Sequence, residues 1–390
     1  MKYRISGGVL LSGGKEQRGD LLLANGRIEA ILAPDAPSDD TYCRVDASGC
    51  YVSPGFVDIH QHGGGGGDYM DEDPDTYLKI TEAHLAHGTT AVMPTLLSAD
   101  PAALLRAVER YQSAACDPRI RVGLIGLHIE GPYISPHQAG AQKKEHIRPF
   151  DAAEYEQVIR VGQGAVKRWS VAPEVEGAER FASFARDNGV TLSIAHSNAD
   201  LDTVVRAFDW GFHHVTHLYS CISTITRQGG FRVPGVLEAA YDLDEMDVEI
   251  IADGCHLPPS LLRFVTKFKR VDRIALITDA MRAAGQNVSH SFLGSEKDPT
   301  PCIIEDGVAK LEDRSAFAGS VATADRLVRQ MMAIGIAPAV AVQMMSENPL
   351  RMMGLSLGKG ALKTGYDADV CIFDRDVHMK TVFCGGRKIF

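Results

Sequence analysis

The sequence predicts an α/β protein: a (β/α)8 barrel of parallel strands flanked by a small β-sandwich formed by both chain termini. Three observations predict it. Eight short apolar runs alternate with helical stretches over roughly 250 residues, the size of eight strand–helix units. Almost every run is followed by a side chain that can bind a metal or move a proton: His60 and His62, Glu130, His196, His217, His256 and Asp279. Both ends of the chain share a different texture, short strands cut by glycine turns.

The terminal strands come first. Segments 3–5, 8–11, 20–23 and 27–32 are β-rich, and Asn25-Gly26 is a hairpin turn signal. Strands at 369–373 and 377–383, then a Gly385-Gly386 turn and residues 387–390, repeat the pattern. Neither end can bury a core alone, so residues 1–54 and 356–390 are expected to pair into one sandwich, with 55–355 as the barrel. The barrel strands are expected at 56–59, 89–93, 122–129, 166–171, 190–195, 213–216, 248–251 and 274–278. Helices fit between them at 75–87, 100–114, 177–188, 199–210, 235–243 and 259–269. A doubly wound open sheet is the alternative, and it calls for a phosphate-binding glycine loop after the first strand. The tract Gly63–Gly67 leads into Asp68, Asp71, Glu72 and Asp73, which repel a pyrophosphate, and no Gly-Lys-Ser/Thr follows. Five glycines there read as backbone passing close to a crowded site.

Composition narrows the function. Over 390 residues, 40 Lys and Arg against 50 Asp and Glu give a net charge of −10. Such a chain is not expected to bind nucleic acid. No stretch is long and apolar enough for a membrane span, and the N-terminus does not read as a signal peptide. The 8 cysteines are scattered without a CxxC pair, which suits reduced thiols in the cytoplasm.

The strand ends carry the chemistry. His60 and His62 are alternate residues, so at an extended strand end both imidazoles face one way and suit Zn²⁺ or Fe²⁺. The bland reading is two polar residues at a loop start. An acid after an apolar strand is costly unless paired, so Glu130 reads as a metal ligand, with a salt bridge as the rival. His196 and His217 close successive strands, and with Glu130 they make a two-nitrogen, one-oxygen set that leaves room for water. Asp279 reads as general base and acid; a further ligand or a helix cap are its alternatives. His256 lies past its strand and is better placed for substrate, and Arg227 is a candidate anion ligand or simply a solvated loop residue.

The segments Pro54–His60, His128–Pro132, Ala195–Ala199, Thr216–Tyr219, Ile251–His256, Ile277–Ala280 and Ala318–Ser320 together resemble the N-acetylglucosamine-6-phosphate deacetylase family of the amidohydrolase superfamily. The resemblance implies a metal centre on Glu130, His196 and His217, a second ion at His60 and His62, and Asp279 as acid and base. It implies a sugar pocket lined by the backbone around Gly319 and Ser320, a phosphate held by His256, and an arginine matching Arg227 reaching across a homodimer. Two departures stand out. Where the family has Asn-Ala against the substrate, this chain has Ser220-Cys221, and where the family has a carbonyl-polarising histidine it has Gln142. Gln142 can donate a hydrogen bond but cannot carry a proton. The expected reaction is therefore hydrolysis of an N-acetyl amino sugar phosphate. A different or unphosphorylated N-acyl amino sugar, such as N-acetylgalactosamine 6-phosphate, and a non-catalytic scaffold are the alternatives.

Overall fold

The computed structural model describes residues 1–34, 36–37 and 40–390. Eight parallel strands follow one another around a barrel: β1 (Phe56–Gln61), β2 (Thr89–Leu96), β3 (Leu127–Glu130), β4 (Val166–Val171), β5 (Thr191–Ile194), β6 (Phe212–Val215), β7 (Asp247–Ile250) and β8 (Ile274–Leu276). Each pairs in parallel with the next from β1 to β8. The seam between β8 and β1 is closed by one parallel bridge, Gln61 with Ala280, and by Asp279 N–H donating to His60 O at 2.9 Å. Asp58 reinforces it, accepting from Thr278 N at 3.2 Å and Thr278 Oγ1 at 2.5 Å.

All six expected helices form, among them Pro101–Ala115, where Asp100 accepts from the amides of Ala102 and Ala103 and Pro101 opens the first turn. The helices Ala152–Gly162, Ala324–Ala333, Pro338–Met344 and Glu347–Met352 were not expected. Nor was the antiparallel sheet of His290–Leu293, Thr300–Glu305 and Val308–Leu311. The run at 122–129 is broken: Gly126 has φ 128°, so Gly123–Leu124 and Leu127–Glu130 are separate strands. The main core lies between barrel and helices, around Trp169, Phe181, Tyr133 and Phe212.

The two chain ends do meet. Val370–Phe373 pairs antiparallel with Tyr51–Pro54, which pairs in parallel with Val9–Ser12, in a six-stranded sheet. A four-stranded sheet holds Tyr3–Ser6, Asp20–Ala24, Arg27–Leu32 and Cys43–Asp46. Leu21, Leu23 and Ile5 from the second pack with Leu10, Val52 and Phe383 from the first in one apolar cluster. Among the described residues no helix is long and apolar enough to cross a membrane, and all eight cysteines are free.

Candidate metal-dependent active site

The polar side chains at the strand ends converge because the barrel interior is polar at this level. Alternation along β1 turns Asp58, His60 and His62 one way. At the ends of β5, β6 and β8 the chain enters left-handed backbone: His196 has φ 46°, His217 φ 31° and Asp279 φ 47°. Non-glycine residues adopt this conformation at a cost of order 1–3 kcal/mol, and it gathers where a side chain must be aimed. The five-glycine tract makes room beside them. A Cβ on Gly63 would come within 2.2 Å of Gly67 O, and one on Gly64 within 2.3 Å of His84 Nε2.

Two ligand sets result, each with donor atoms mutually within 4.8 Å: Glu130, His196 and His217, and beside them His60, His62 and Asp279. Glu130 joins the two. Its Oε1 lies 2.9 Å from His217 Nε2, 3.3 Å from His196 Nε2 and 3.5 Å from His60 Nε2, and its Oε2 lies 3.4 Å from His62 Nε2. Asp279 Oδ1 is 3.2 Å from His62 Nε2 and 3.4 Å from His60 Nε2. Ligands bound tetrahedrally at about 2.0–2.2 Å stand about 3.3–3.6 Å apart, so this nitrogen and oxygen set fits a divalent ion. The site is also built to receive one. Burial alone would push the Glu130 carboxyl up, yet His60, His196 and His217 hold it well below the usual range. Asp279 is lowered for the same reason, burial being outweighed by His60 and His62. Two ionised carboxylates buried this deeply require positive charge beside them.

These groups open onto a cavity of about 190 Å³, whose lining includes Gln142, Ser220, Cys221, His256, Phe317 and Gly319. Gln142, which stands where the resemblance leads one to expect a histidine, lies beside Glu130: its Nε2 donates to Glu130 Oε2 at 3.0 Å and its Oε1 accepts from Ser98 N at 3.1 Å. His256 Nδ1 is held by Asp253 Oδ2 at 2.9 Å, and the His256 ring meets Phe317 with centroids 4.8 Å apart. Two predicted residues stand apart. Ser320 is fully buried and its hydroxyl donates to Thr278 O at 2.5 Å, so it braces the strand end beneath Asp279 and does not face the cavity. Arg227 is exposed on the hairpin of Thr226–Gln228 and Phe231–Val233, away from the cavity within one chain. Sequence reading missed Arg168 and Glu249, a fully buried ion pair inside the barrel. The signal was available: a charged residue at the centre of an apolar strand must face inward or be paired.

The sequence profile of the amidohydrolase family matches residues 51–389. N-acetylgalactosamine-6-phosphate deacetylase of Escherichia coli O157:H7 is 32% identical over 365 residues, covering 92% of either chain. N-acetylglucosamine-6-phosphate deacetylase of Bacillus subtilis is 30% identical over 342 residues, covering 86% of this chain and 84% of its own. The chain belongs to the amidohydrolase family. Within it, the N-acetylglucosamine-6-phosphate deacetylases are its specific kin: a point mutant of the Mycobacterium smegmatis enzyme, solved in complex with N-acetyl-D-glucosamine-6-phosphate, superposes with a TM-score of 0.91 at 30% identity and 99% coverage of both chains. The barrel, both terminal sheets and the two ligand sets are thus parts of an amidohydrolase enzyme.

Proposed function

We propose that this enzyme removes the acetyl group of N-acetylglucosamine 6-phosphate, giving glucosamine 6-phosphate and acetate. The observation that carries the reading is the meeting of Glu130, His196 and His217 with His60, His62 and Asp279 at one end of the barrel, in a chain kin to deacetylases of this substrate. Glu130, His196 and His217 would hold one divalent ion and His60, His62 and Asp279 a second. Zn²⁺ suits the imidazole and carboxylate donors best, with Fe²⁺ as the alternative. When bound, the ion polarises the acyl carbonyl and makes water acidic enough to attack near neutral pH.

The remaining work falls to side chains. Asp279 accepts the proton that water releases on attack and returns it to the sugar nitrogen as the C–N bond breaks. Gln142 uses one N–H on Glu130 and has a second with which to steady the developing oxyanion. Ser220, Cys221 and the Gly319 backbone line the sugar's place in the cavity. Asp253 fixes the tautomer of His256 so that Nε2 meets the phosphate. Arg227 would complete that phosphate site from a second copy of the chain. The apolar surface around its hairpin supports a homodimer: Ile225, Phe231, Phe264 and Phe268 are 55%, 80%, 45% and 55% exposed. The terminal segments 1–54 and 356–390 would act as a single sandwich domain beside the barrel. A cytoplasmic location fits the free thiols.

A second reading has a specific basis. The 32% kinship with a deacetylase of N-acetylgalactosamine 6-phosphate, with Ser220-Cys221 and Gln142 in the sugar and acyl positions, makes the C4 epimer the competing substrate. Metal-reconstituted enzyme assayed for acetate release with the two 6-phosphates and with unphosphorylated N-acetylglucosamine tests both. Preference for the glucosamine compound supports the proposal, preference for its epimer supports the second reading, and equal rates without the phosphate overturn both.

A further inference from the structure

The four imidazoles of the two ligand sets turn Nε2 towards Glu130, so with an ion bound each would carry its proton on the outer nitrogen, Nδ1, where an acceptor fixes ring and tautomer. For three of them the acceptor is a backbone carbonyl. His62 Nδ1 lies 3.3 Å from Thr95 O, His196 Nδ1 2.7 Å from Gln138 O, and His217 Nδ1 3.1 Å from Ser220 O. His60 differs. Its Nδ1 is buried without a hydrogen-bond partner, and what it faces is Glu249 Oε2, 3.6 Å away. A contraction of about half an ångström would bring that pair to hydrogen-bond length.

Glu249 is itself held. Arg168 Nη1 forms an ion pair with Glu249 Oε1. The same guanidinium is clamped by three other acceptors, Ser193 Oγ at 2.9 Å, Thr216 Oγ1 at 2.8 Å and Ile59 O at 3.3 Å. Arg168, Glu249 and His60 are all fully buried. An ion pair this deep loses two hydration shells, and apolar residues of similar volume usually serve stability as well or better. Its position, directly behind one ligand, gives it another use.

Resting on the reading that His60, His62 and Asp279 hold an ion, we propose that Glu249 is the positioning residue for His60. Glu249 accepts the Nδ1 proton and so presents Nε2 to the ion, while Arg168 sets the carboxylate in place. The other three rings depend on main-chain oxygens that no substitution removes. Among the four histidines of the two ligand sets His60 alone depends on a side chain, so the His60 ion can be weakened without touching a ligand.

The test uses Zn²⁺ titration of full-length apoprotein, with bound metal counted per chain. Paired variants avoid leaving one buried charge alone. Arg168→Met/Glu249→Met removes the acceptor, and Arg168→Met/Glu249→Gln keeps an amide oxygen in its place. The Met pair is expected to bind one ion as the wild type does and the other about 10–100-fold more weakly; the Gln pair recovers most of that loss. Two ions at wild-type affinity in the Met pair would overturn the inference, as would equal losses in both variants, which would make the ion pair a brace of the barrel only. A wild type that binds a single ion overturns the inference together with the two-ion reading, whereas two ions in both wild type and Met pair sink the positioning role alone. Should the Met pair fail to fold, ¹⁵N-histidine NMR of zinc-loaded wild type decides: a hydrogen-bonded His60 Nδ1–H supports the proposal, and a proton on Nε2 or an unbonded Nδ1–H refutes it.

Discussion

Asp279→Asn isolates proton transfer from metal binding. Of the residues lining the cavity, Glu130 and Asp279 are the carboxylates. Glu130 is committed, its Oε1 to His196 and His217 and its Oε2 to Gln142. Asp279 contacts His60 and His62 through Oδ1 alone, and an asparagine keeps an oxygen there. The variant should therefore keep its metal while losing the base, with no neighbour free to replace it. General acid–base catalysis contributes about 10²–10⁴-fold, equivalent to about 3–5 kcal/mol of barrier. The absence of a second uncommitted carboxylate in the cavity lining places the expected loss of kcat toward the upper end. The measurement is acetate release under saturating substrate, with bound metal counted in the same samples. Turnover within about threefold of wild type at full metal content, far below the range for a lost base, would refute the role of Asp279.

Glu130→Gln, which weakens the one group shared by both ligand sets, should lower bound metal at each, read by elemental analysis after dialysis. Gln142→Ala removes the donor proposed to steady the oxyanion; kcat should fall about 10²–10³-fold with metal retained. His84 is fully buried, and burial pushes it down from 6.5 to about 4. Because its folded-state value is depressed, its contribution is complete above pH ~6.5 and is lost as pH falls towards about 4, up to about 3 kcal/mol. The drop in thermal midpoint of the metal-free protein between pH 7 and 5 should thus be smaller in His84→Gln, and an equal drop would count against it. A Cβ at Gly55 would come within 2.1 Å of Thr90 Oγ1, 2.5 Å of its Cγ2 and 2.8 Å of its Cβ. Gly55→Ala should accordingly destabilise by about 1–3 kcal/mol, visible as a lower midpoint in thermal unfolding.

What the sequence made legible follows from periodicity and from position at strand ends. Most barrel runs were clear because branched apolar residues dominate them and turn residues bound them, and the candidate ligands were clear because they stand where such runs stop. The helices at Ala324–Ala333 and Pro338–Met344 were missed for another reason: they follow the eighth barrel strand and so lie outside the strand–helix alternation that revealed the others. The sheet of residues 290–311 was missed since its strands are half-buried and irregular in pattern. Arg168 and Glu249 escaped because a charge within a strand looks like a solvent-facing residue until the barrel closes around it. Ser320 illustrates the converse. Its motif suggested backbone lining a pocket; Gly319 does line the cavity, while the Ser320 hydroxyl donates to Thr278 O.

The barrel seam and the chemistry are the same piece of structure. Asp279 N–H donates to His60 O at 2.9 Å, Ser320 N–H donates to Asp279 O at 2.8 Å, and Ala280 bridges Gln61 on one side and Ser320 on the other. The proposed base is thereby hydrogen-bonded through its backbone to a proposed metal ligand. Side chains in a strand alternate faces, so a slip of one residue at this seam would turn Asp279 away from the imidazoles altogether. Asp58, which ties Thr278 to β1 through two hydrogen bonds, fixes that register. Closing the barrel thus brings Asp279 against His60 and His62, and a change that loosens the seam should impair turnover before it unfolds the protein.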